Sequence, residues 1–215
     1  TWKGEGGGAL LNQCPHNLDL LQWIGGRPSR VRGFCQLGRY HQIEVEDNVT
    51  AYLEYPNGAT GVFITSTGEA PGTNRFEICG DRGRLVLENG KISFARNEIP
   101  MREFSRTART GFARPDVWQA DIPFDGSGAK HEEITQNFVE AILEGKPLIA
   151  PAAEGIYSVE LANAILYSSL MDATISLPLD GSAYEKKLNQ LIAESRFEKK
   201  VVEVQGEDFT RSFHR

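Results

Sequence analysis

Apolar residues recur at helical spacing at the start of the chain and again in its last third. Near the start they follow one helical face at Leu11, Leu18, Leu21 and Ile24. Pro15 is tolerated only in a first helical turn, so this helix is predicted to begin near residues 11–14 and to end at Gly25. The same spacing predicts helices over 131–144, 154–171 and 184–192.

Between residues 29 and 104 the pattern changes to short runs rich in Val, Ile, Phe, Tyr and Thr. Asn57-Gly58 and Asn89-Gly90 each separate two such runs, and both dipeptides accept the positive φ angles of a tight hairpin. Connections this short join antiparallel strands. The predicted strands are 49–55, 60–65, 75–79, 84–88, 91–94 and 175–179. We therefore expect an α+β fold with one large, predominantly antiparallel open sheet and helices on one face.

Two segments lack a clear pattern. Residues 96–128 combine four arginines with Thr, Gly, Ala and Pro, and predict a long irregular excursion, either a solvated loop or an arm that reaches another subunit. Residues 198–215 alternate charged and apolar positions, which leaves an edge strand over 201–204 and a frayed end as alternatives. The predicted organisation is one domain over 1–197 and a C-terminal tail over 198–215.

Composition narrows the functional class. The 215 residues are 40% apolar and 24% charged, which suits a folded domain with a core. The net charge of -6 with no basic run argues against nucleic acid, and no apolar stretch approaches the roughly 18 residues of a membrane span. Three cysteines without CxxC spacing predict a reducing, cytoplasmic location and neither disulfides nor a metal site. Because the chain begins with Thr1, we expect a fragment.

Candidate chemistry lies in the first predicted helix. Asn12, His16 and Asp19 are spaced by four and three residues, so on a continuous helix they share one face. An imidazole there can exchange protons near neutral pH, as general acid–base catalysis requires. The alternative is a structural histidine tied to Asp19 or to a cap. His41 and His131 are interpreted as solvated or capping residues.

These residues carry a family resemblance. The glycine run Gly6-Gly7-Gly8, followed by Asn12, His16 and Asp19, resembles the signature that opens the C-terminal domain of the Gfo/Idh/MocA oxidoreductases, a glycine run and then D/N-x-x-x-H-x-x-D. Further similar segments are 47–51, 57–59, 80–85 and 138–145, with the helix over 154–171.

The resemblance implies an enzyme that transfers a hydride between a nicotinamide cofactor, NAD or NADP, and a sugar, sugar derivative or cyclitol. In this family a Rossmann domain comes first and carries a GxGxxG loop and an E-K-P lysine, and neither motif occurs here. The chain would then be the substrate-binding and oligomerisation half, inactive alone, that forms a homodimer or homotetramer through its sheet face. The alternative is a non-catalytic sugar-binding or dimerisation module.

The resemblance also assigns roles to residues. His16 takes the place of the family histidine, as proton relay or ligand of a substrate hydroxyl. Asn12 takes the place of an aspartate, and because an amide cannot take up a proton, only an orienting hydrogen bond is expected there. Asp19 and Gln13 are expected to contact the substrate.

Overall fold

The computed structural model describes residues 1–123 and 131–198. The helices are α1 (Trp2–Glu5), α2 (Ala9–Asn12), α3 (Pro15–Gly25), α4 (Met101–Thr107), α5 (His131–Glu144), α6 (Gly155–Met171) and α7 (Gly181–Glu194). The strands are β1 (Arg30–Leu37), β2 (Glu46–Glu54), β3 (Thr60–Ser66), β4 (Arg75–Gly80), β5 (Gly83–Glu88), β6 (Lys91–Asn97), β7 (Val117–Ile122) and β8 (Ile175–Ser176). None of the helices in these ranges is long and apolar enough to cross a membrane.

The chain divides into two compact units. The first joins residues 1–69 to the chain from Ala150 onward, and the second comprises residues 70–149. Each unit contains one antiparallel sheet of four strands, in the order β3-β2-β1-β8 and β4-β5-β6-β7. The predicted α+β class is confirmed. The strands form two sheets rather than the one large sheet expected, a division that hairpin patterns alone do not reveal.

Period-two alternation organises the sheet of the first unit. Along β2, Val49, Ala51 and Leu53 are buried, whereas Thr50 and Tyr52 point to the exposed face. The predicted hairpin between β2 and β3 is confirmed, with Gly58 at φ 83° in its turn. Helices therefore cover one face of this sheet, and the other face is exposed.

Helix α6 packs closely against β1. Leu161 and Ile165 of α6 are fully buried with Val31 of β1. A Cβ on Gly33 would lie 2.2 Å from the carbonyl oxygen of Ile165, so this position requires glycine for the helix and strand backbones to approach. The Ser168 hydroxyl accepts a hydrogen bond of 2.9 Å from the Gly33 backbone N–H.

The N-terminal helical pattern is divided between two helices. Pro15 is the first residue of α3, where its missing N–H costs nothing, and Cys14 is the cap residue. Asn12 is the last residue of the separate helix α2. The expectation that Asn12, His16 and Asp19 share a face of one helix is therefore wrong, because α2 ends at Asn12 and the chain leaves helical geometry at Cys14 before α3 begins.

The second unit holds most of the segment expected to be irregular. Within 96–123 it contains the helix α4 and the edge strand β7, which pairs antiparallel with β6. Asp81 caps α4, since its Oδ1 accepts a hydrogen bond of 2.7 Å from the Arg102 backbone N–H. The prediction of an irregular excursion is thus wrong for 101–107 and 117–122. Residues 124–128 lie outside the described ranges. The tail beyond residue 198, with its possible strand over 201–204, also lies outside them.

Candidate functional site

The glycine run is tied to the start of β2. Glu46 Oε1 accepts hydrogen bonds from the backbone N–H groups of Gly8, at 2.8 Å, and Leu10, at 3.1 Å. A Cβ on Gly8 would lie 2.0 Å from the backbone oxygen of Glu46. Only glycine permits this approach, so the position of α2 depends on Gly8 and on the Glu46 carboxylate.

Glu46 is a fully buried acid with one unsatisfied oxygen. Its Oε2 atom has no hydrogen-bond partner among the described residues. Burial raises the pKa of Glu46, although the hydrogen bonds from Gly8 and Leu10 act in the opposite direction. The protonated form of Glu46 is therefore favoured relative to an exposed glutamate.

Asp47, the next residue, holds the loop between β1 and β2. The β1–β2 register shifts between Gln36 and Leu37, which pair with Asn48 and Glu46, so Asp47 has no partner on β1. Its carboxylate accepts hydrogen bonds from the backbone N–H groups of three loop residues, Arg39, Tyr40 and His41, at 3.0, 2.7 and 3.0 Å. Burial alone would raise the pKa of Asp47, but these hydrogen bonds outweigh it and lower the pKa.

Asp47 also positions an imidazole. His41 Nδ1 lies 3.2 Å from Asp47 Oδ2 and 3.3 Å from the Thr67 hydroxyl. The Asp47 side chain is 1% exposed and the His41 side chain 47% exposed. A buried carboxylate thus orients a histidine that solvent and small molecules can reach.

These elements enclose a cleft within the first unit. Its volume of about 580 Å³ lies in the range typical of small-molecule sites. The walls come from the glycine run and α2, the β1–β2 loop, the start of β2, and Thr67 and Phe197. The polar side chains in these walls include Asn12, Gln13, His41, Glu46, Asp47 and Thr67.

Two of the four site residues predicted from the sequence line this cleft. Asn12 and Gln13 are exposed to it, and Gln13 Nε2 donates a hydrogen bond of 2.9 Å to Asn12 Oδ1. His16 and Asp19 lie on α3, are exposed, and are not among the residues that line the cleft. In the described part of the chain, no hydrogen bond joins His16 to Asp19. The alternative interpretation, a structural histidine tied to Asp19, is therefore not observed.

Sequence reasoning missed Glu46, Asp47 and His41 as members of the cleft. The sequence feature that could have indicated Glu46 and Asp47 is the pair of adjacent acids at the start of an apolar strand. Acidic side chains are rarely buried unless their oxygens are paired. The role of Asp47 in orienting His41 depends on a register shift that no local pattern encodes.

The described residues do not fit a dinucleotide. A pyrophosphate is held by a glycine-rich turn between a parallel strand and a helix, and both sheets here are antiparallel within 1–123 and 131–198. The glycine run follows the four-residue helix α1 and not a strand. A nicotinamide cofactor would therefore need residues other than these.

A comparison with known proteins gives a family match for the first part of the chain. Residues 1–86 match the family model described as the GFO/IDH/MocA C-terminal domain. This part of the chain is similar to that domain. It includes the glycine run, Asn12, His16 and the Glu46–Asp47 pair, so most of the cleft lies in the matched part.

Individual proteins are also similar to this chain. The bovine (Bos taurus) protein trans-1,2-dihydrobenzene-1,2-diol dehydrogenase is 28% identical over 126 residues, which cover 52% of this chain and 36% of that protein. The WlbA dehydrogenase of Bordetella pertussis, solved with NADH and UDP-GlcNAcA, aligns with a TM-score of 0.60 and 24% identity over 81% of this chain and 47% of that one. A levoglucosan dehydrogenase, solved with NADH and levoglucosan, aligns with a TM-score of 0.60 and 19% identity over 83% and 54%. The chain thus spans about half of the length of these structures, and their likeness concerns the fold.

Proposed function

We propose that this chain is the substrate-binding half of an NAD(P)-dependent oxidoreductase, which transfers a hydride between nicotinamide and a sugar, sugar derivative or cyclitol. The family match supports the oxidoreductase class. The cofactor is bound mainly by residues outside those described, since the sheets here offer no dinucleotide turn. The contribution of this chain is to bind and orient the hydroxylated substrate.

The observation that carries the proposal is the position of Asn12. It lies in the wall of a cleft of small-molecule size and occupies the first polar position of the family signature. The adjacent amides of Asn12 and Gln13 offer both donors and acceptors. A polyol presents many hydroxyl groups that need such partners, and a purely apolar ligand would leave these amides unsatisfied.

We also propose roles for His16 and Asp19, which lie on α3 and are not among the residues that line the cleft. His16 is the second residue of this helix and its side chain is exposed, so it is accessible to a substrate or to a proton acceptor. We assign His16 the proton relay and Asn12 an orienting hydrogen bond. Asp19, one turn further along α3, is assigned a contact with a substrate hydroxyl.

The compounds bound to two structural relatives favour carbohydrate substrates. Levoglucosan and UDP-GlcNAcA are the sugar compounds bound in those crystal structures. The shared fold makes a carbohydrate the first class to test for this chain.

The exposed face of the first sheet supports self-association. Phe34 of β1, Tyr52 of β2, and Val62 and Ile64 of β3 are 56%, 42%, 62% and 65% exposed on this face. The register places Phe34 and Ile64 on either side of Thr50, and Tyr52 beside Val62. Contiguous apolar side chains of this kind usually become buried in an oligomer. We propose a homodimer or homotetramer that buries this face.

An enzyme assay tests the proposed function. The full-length protein that contains this chain should reduce NAD or NADP in the presence of at least one member of a panel of aldoses, anhydrosugars, nucleotide sugars and inositols. In titration calorimetry, residues 1–215 alone should bind neither dinucleotide at sub-millimolar concentration. Sugar binding without any nicotinamide-dependent turnover would instead support a non-catalytic binding module, and tight dinucleotide binding by this chain alone would contradict the proposed division.

A further inference from the structure

The strongest unassigned feature of the cleft is the pair formed by His41 and Asp47. His41 lies in the β1–β2 loop, and its imidazole lines the same cleft as Asn12 and Gln13. From the sequence it was interpreted as a solvated or capping residue. The geometry of its hydrogen bonds determines which of its ring nitrogens is available to a ligand.

The Asp47 carboxylate accepts hydrogen bonds from three backbone N–H groups and acts only as an acceptor. His41 Nδ1, at 3.2 Å from Oδ2, must therefore donate to it. The Thr67 hydroxyl donates its hydrogen to the backbone oxygen of Asp47 at 3.3 Å. The lone pairs of the Thr67 oxygen therefore face His41 Nδ1, which lies 3.3 Å away. In the neutral imidazole the proton is then on Nδ1, and Nε2 carries an unshared lone pair.

Nε2 has no hydrogen-bond partner among the described residues, and the His41 side chain is 47% exposed. By contrast, the loop backbone beside it is held at three N–H groups by the buried Asp47. The imidazole is therefore an accessible acceptor on a fixed support, which is the arrangement that positions a ligand hydroxyl.

We propose that His41 is a substrate-binding residue, whose Nε2 accepts a hydrogen bond from a hydroxyl group of the ligand in the cleft, and that Asp47 is its positioning residue. The inference rests on the proposed function for the class of ligand, a polyhydroxylated small molecule. It adds a contact in the same cleft as the amides of Asn12 and Gln13. It places His41 in substrate binding and leaves the proton relay to His16.

Steady-state kinetics of the full-length protein provide the first test. Loss of one hydrogen bond between neutral groups should raise KM for the best substrate roughly 3- to 10-fold in His41→Phe, with kcat changed less than about 2-fold. His41→Gln should recover part of the affinity, because its amide oxygen can accept the same hydrogen bond. His131→Phe, at the exposed start of α5, is the matched control and should leave KM unchanged. An unchanged KM in His41→Phe would overturn the role of His41. The turnover measured in the same assay would still support the proposed dehydrogenase function.

Nitrogen NMR of ¹⁵N-histidine-labelled full-length protein provides a test without turnover. The free protein should show His41 protonated at Nδ1 alone at alkaline pH. Levoglucosan, D-glucose or myo-inositol, titrated to saturation or to the solubility limit, should shift the Nε2 resonance of His41 in a saturable way. In Asp47→Asn one carboxylate oxygen becomes an NH₂ group, which cannot accept from the backbone N–H groups of the loop, so the loop is held less firmly and the Nε2 response to the same ligand should be weaker. If that variant does not fold, the titration of the wild-type protein and the kinetics of the two His41 variants still test the role of His41.

The two readouts separate the inference from the proposed function. A protein that turns over no sugar but whose His41 Nε2 responds to one of the three probes retains the binding site and loses the dehydrogenase assignment. A protein that oxidises a sugar while Nε2 does not respond to that sugar retains the assignment and loses the role of His41. If none of the probes moves Nε2 and no substrate is found, both are wrong.

Discussion

Glu46 Oε1 accepts a hydrogen bond of 2.8 Å from the backbone N–H of Gly8, and this contact joins the glycine run to the first residue of β2. The backbone N–H of Gly8 is thus used within the chain. One carboxylate oxygen serves the N–H groups of both Gly8 and Leu10, which begin the helix that carries Asn12.

Gly8→Ala should destabilise the first unit by about 1–3 kcal/mol, because the new Cβ would overlap the backbone of Glu46. Gly155→Ala is the matched control: it lies at the start of α6, a Cβ there meets no atom within 4 Å, and its stability should stay the same or rise slightly. Urea denaturation of the two variants measures the difference. Equal midpoints would show that the glycine run can move away from β2.

Glu46→Gln should become more stable relative to the wild type as pH rises. Because burial raises the pKa of Glu46 in the folded state, its protonated form stabilises the fold below the unfolded value of 4.5, and this contribution is lost as pH increases through the raised pKa. Glutamine stays neutral and avoids that loss. The free energy of unfolding, measured for both proteins from pH 4.5 to neutrality, should show a difference that grows in favour of the variant. Glu69→Gln, which removes an exposed charge, is the control, and a difference independent of pH in Glu46→Gln would contradict the expectation.

His16→Ala should lower kcat of the full-length protein about 10²- to 10⁴-fold if His16 relays a proton. Its effect on stability should stay within about 0.5 kcal/mol, because the side chain is exposed and does not contribute to the core. Turnover assays and thermal denaturation of the same preparation separate the two effects. A variant with the kcat of the wild type would return His16 to a structural or solvated role.

Ile64→Lys should weaken self-association through the sheet face. The substitution puts a charge on the same face as the exposed apolar side chains of Phe34, Tyr52 and Val62, where its burial in an interface is costly. Ile156→Lys is a matched control on α6, since Ile156 is 64% exposed and Ile64 is 65% exposed. Light scattering at micromolar concentration should report at least a dimer for the wild type and the control, and a smaller mass for Ile64→Lys. A monomeric wild type would rule out the proposed interface.

Much of the fold followed from local patterns. The helix over 131–144 was predicted with the bounds that the structure has, and the Asn89-Gly90 hairpin is formed with both residues at positive φ, 52° and 68°. Such features depend on residues close together in the chain, whose conformational preferences act directly. The sequence was less informative about β7, because its six residues are all exposed and it forms only as an edge strand against β6.

The site was predictable only in part, because only some of its residues are set by local sequence patterns. Asn12 could be chosen from its spacing to His16 and Asp19 and its place in the family signature, Gln13 from the family resemblance, and both line the cleft. His41 and Asp47 could not, because their pairing depends on the register shift between β1 and β2 and on a loop that folds back onto one carboxylate. Long-range contacts of this kind leave no periodic trace in the sequence.

Two walls of the cleft are anchored to consecutive residues of one strand. Glu46 holds the glycine run and the start of α2, and Asp47 holds residues 39–41, so both walls are tied to a single peptide unit of β2. Neither wall can move away from β2 without breaking hydrogen bonds to a buried carboxylate. The cleft is therefore preorganised, and a ligand that binds there does not have to order these walls. If the ligand is a sugar, as proposed, discrimination among sugars would depend on the fit of their hydroxyl stereochemistry to a rigid frame.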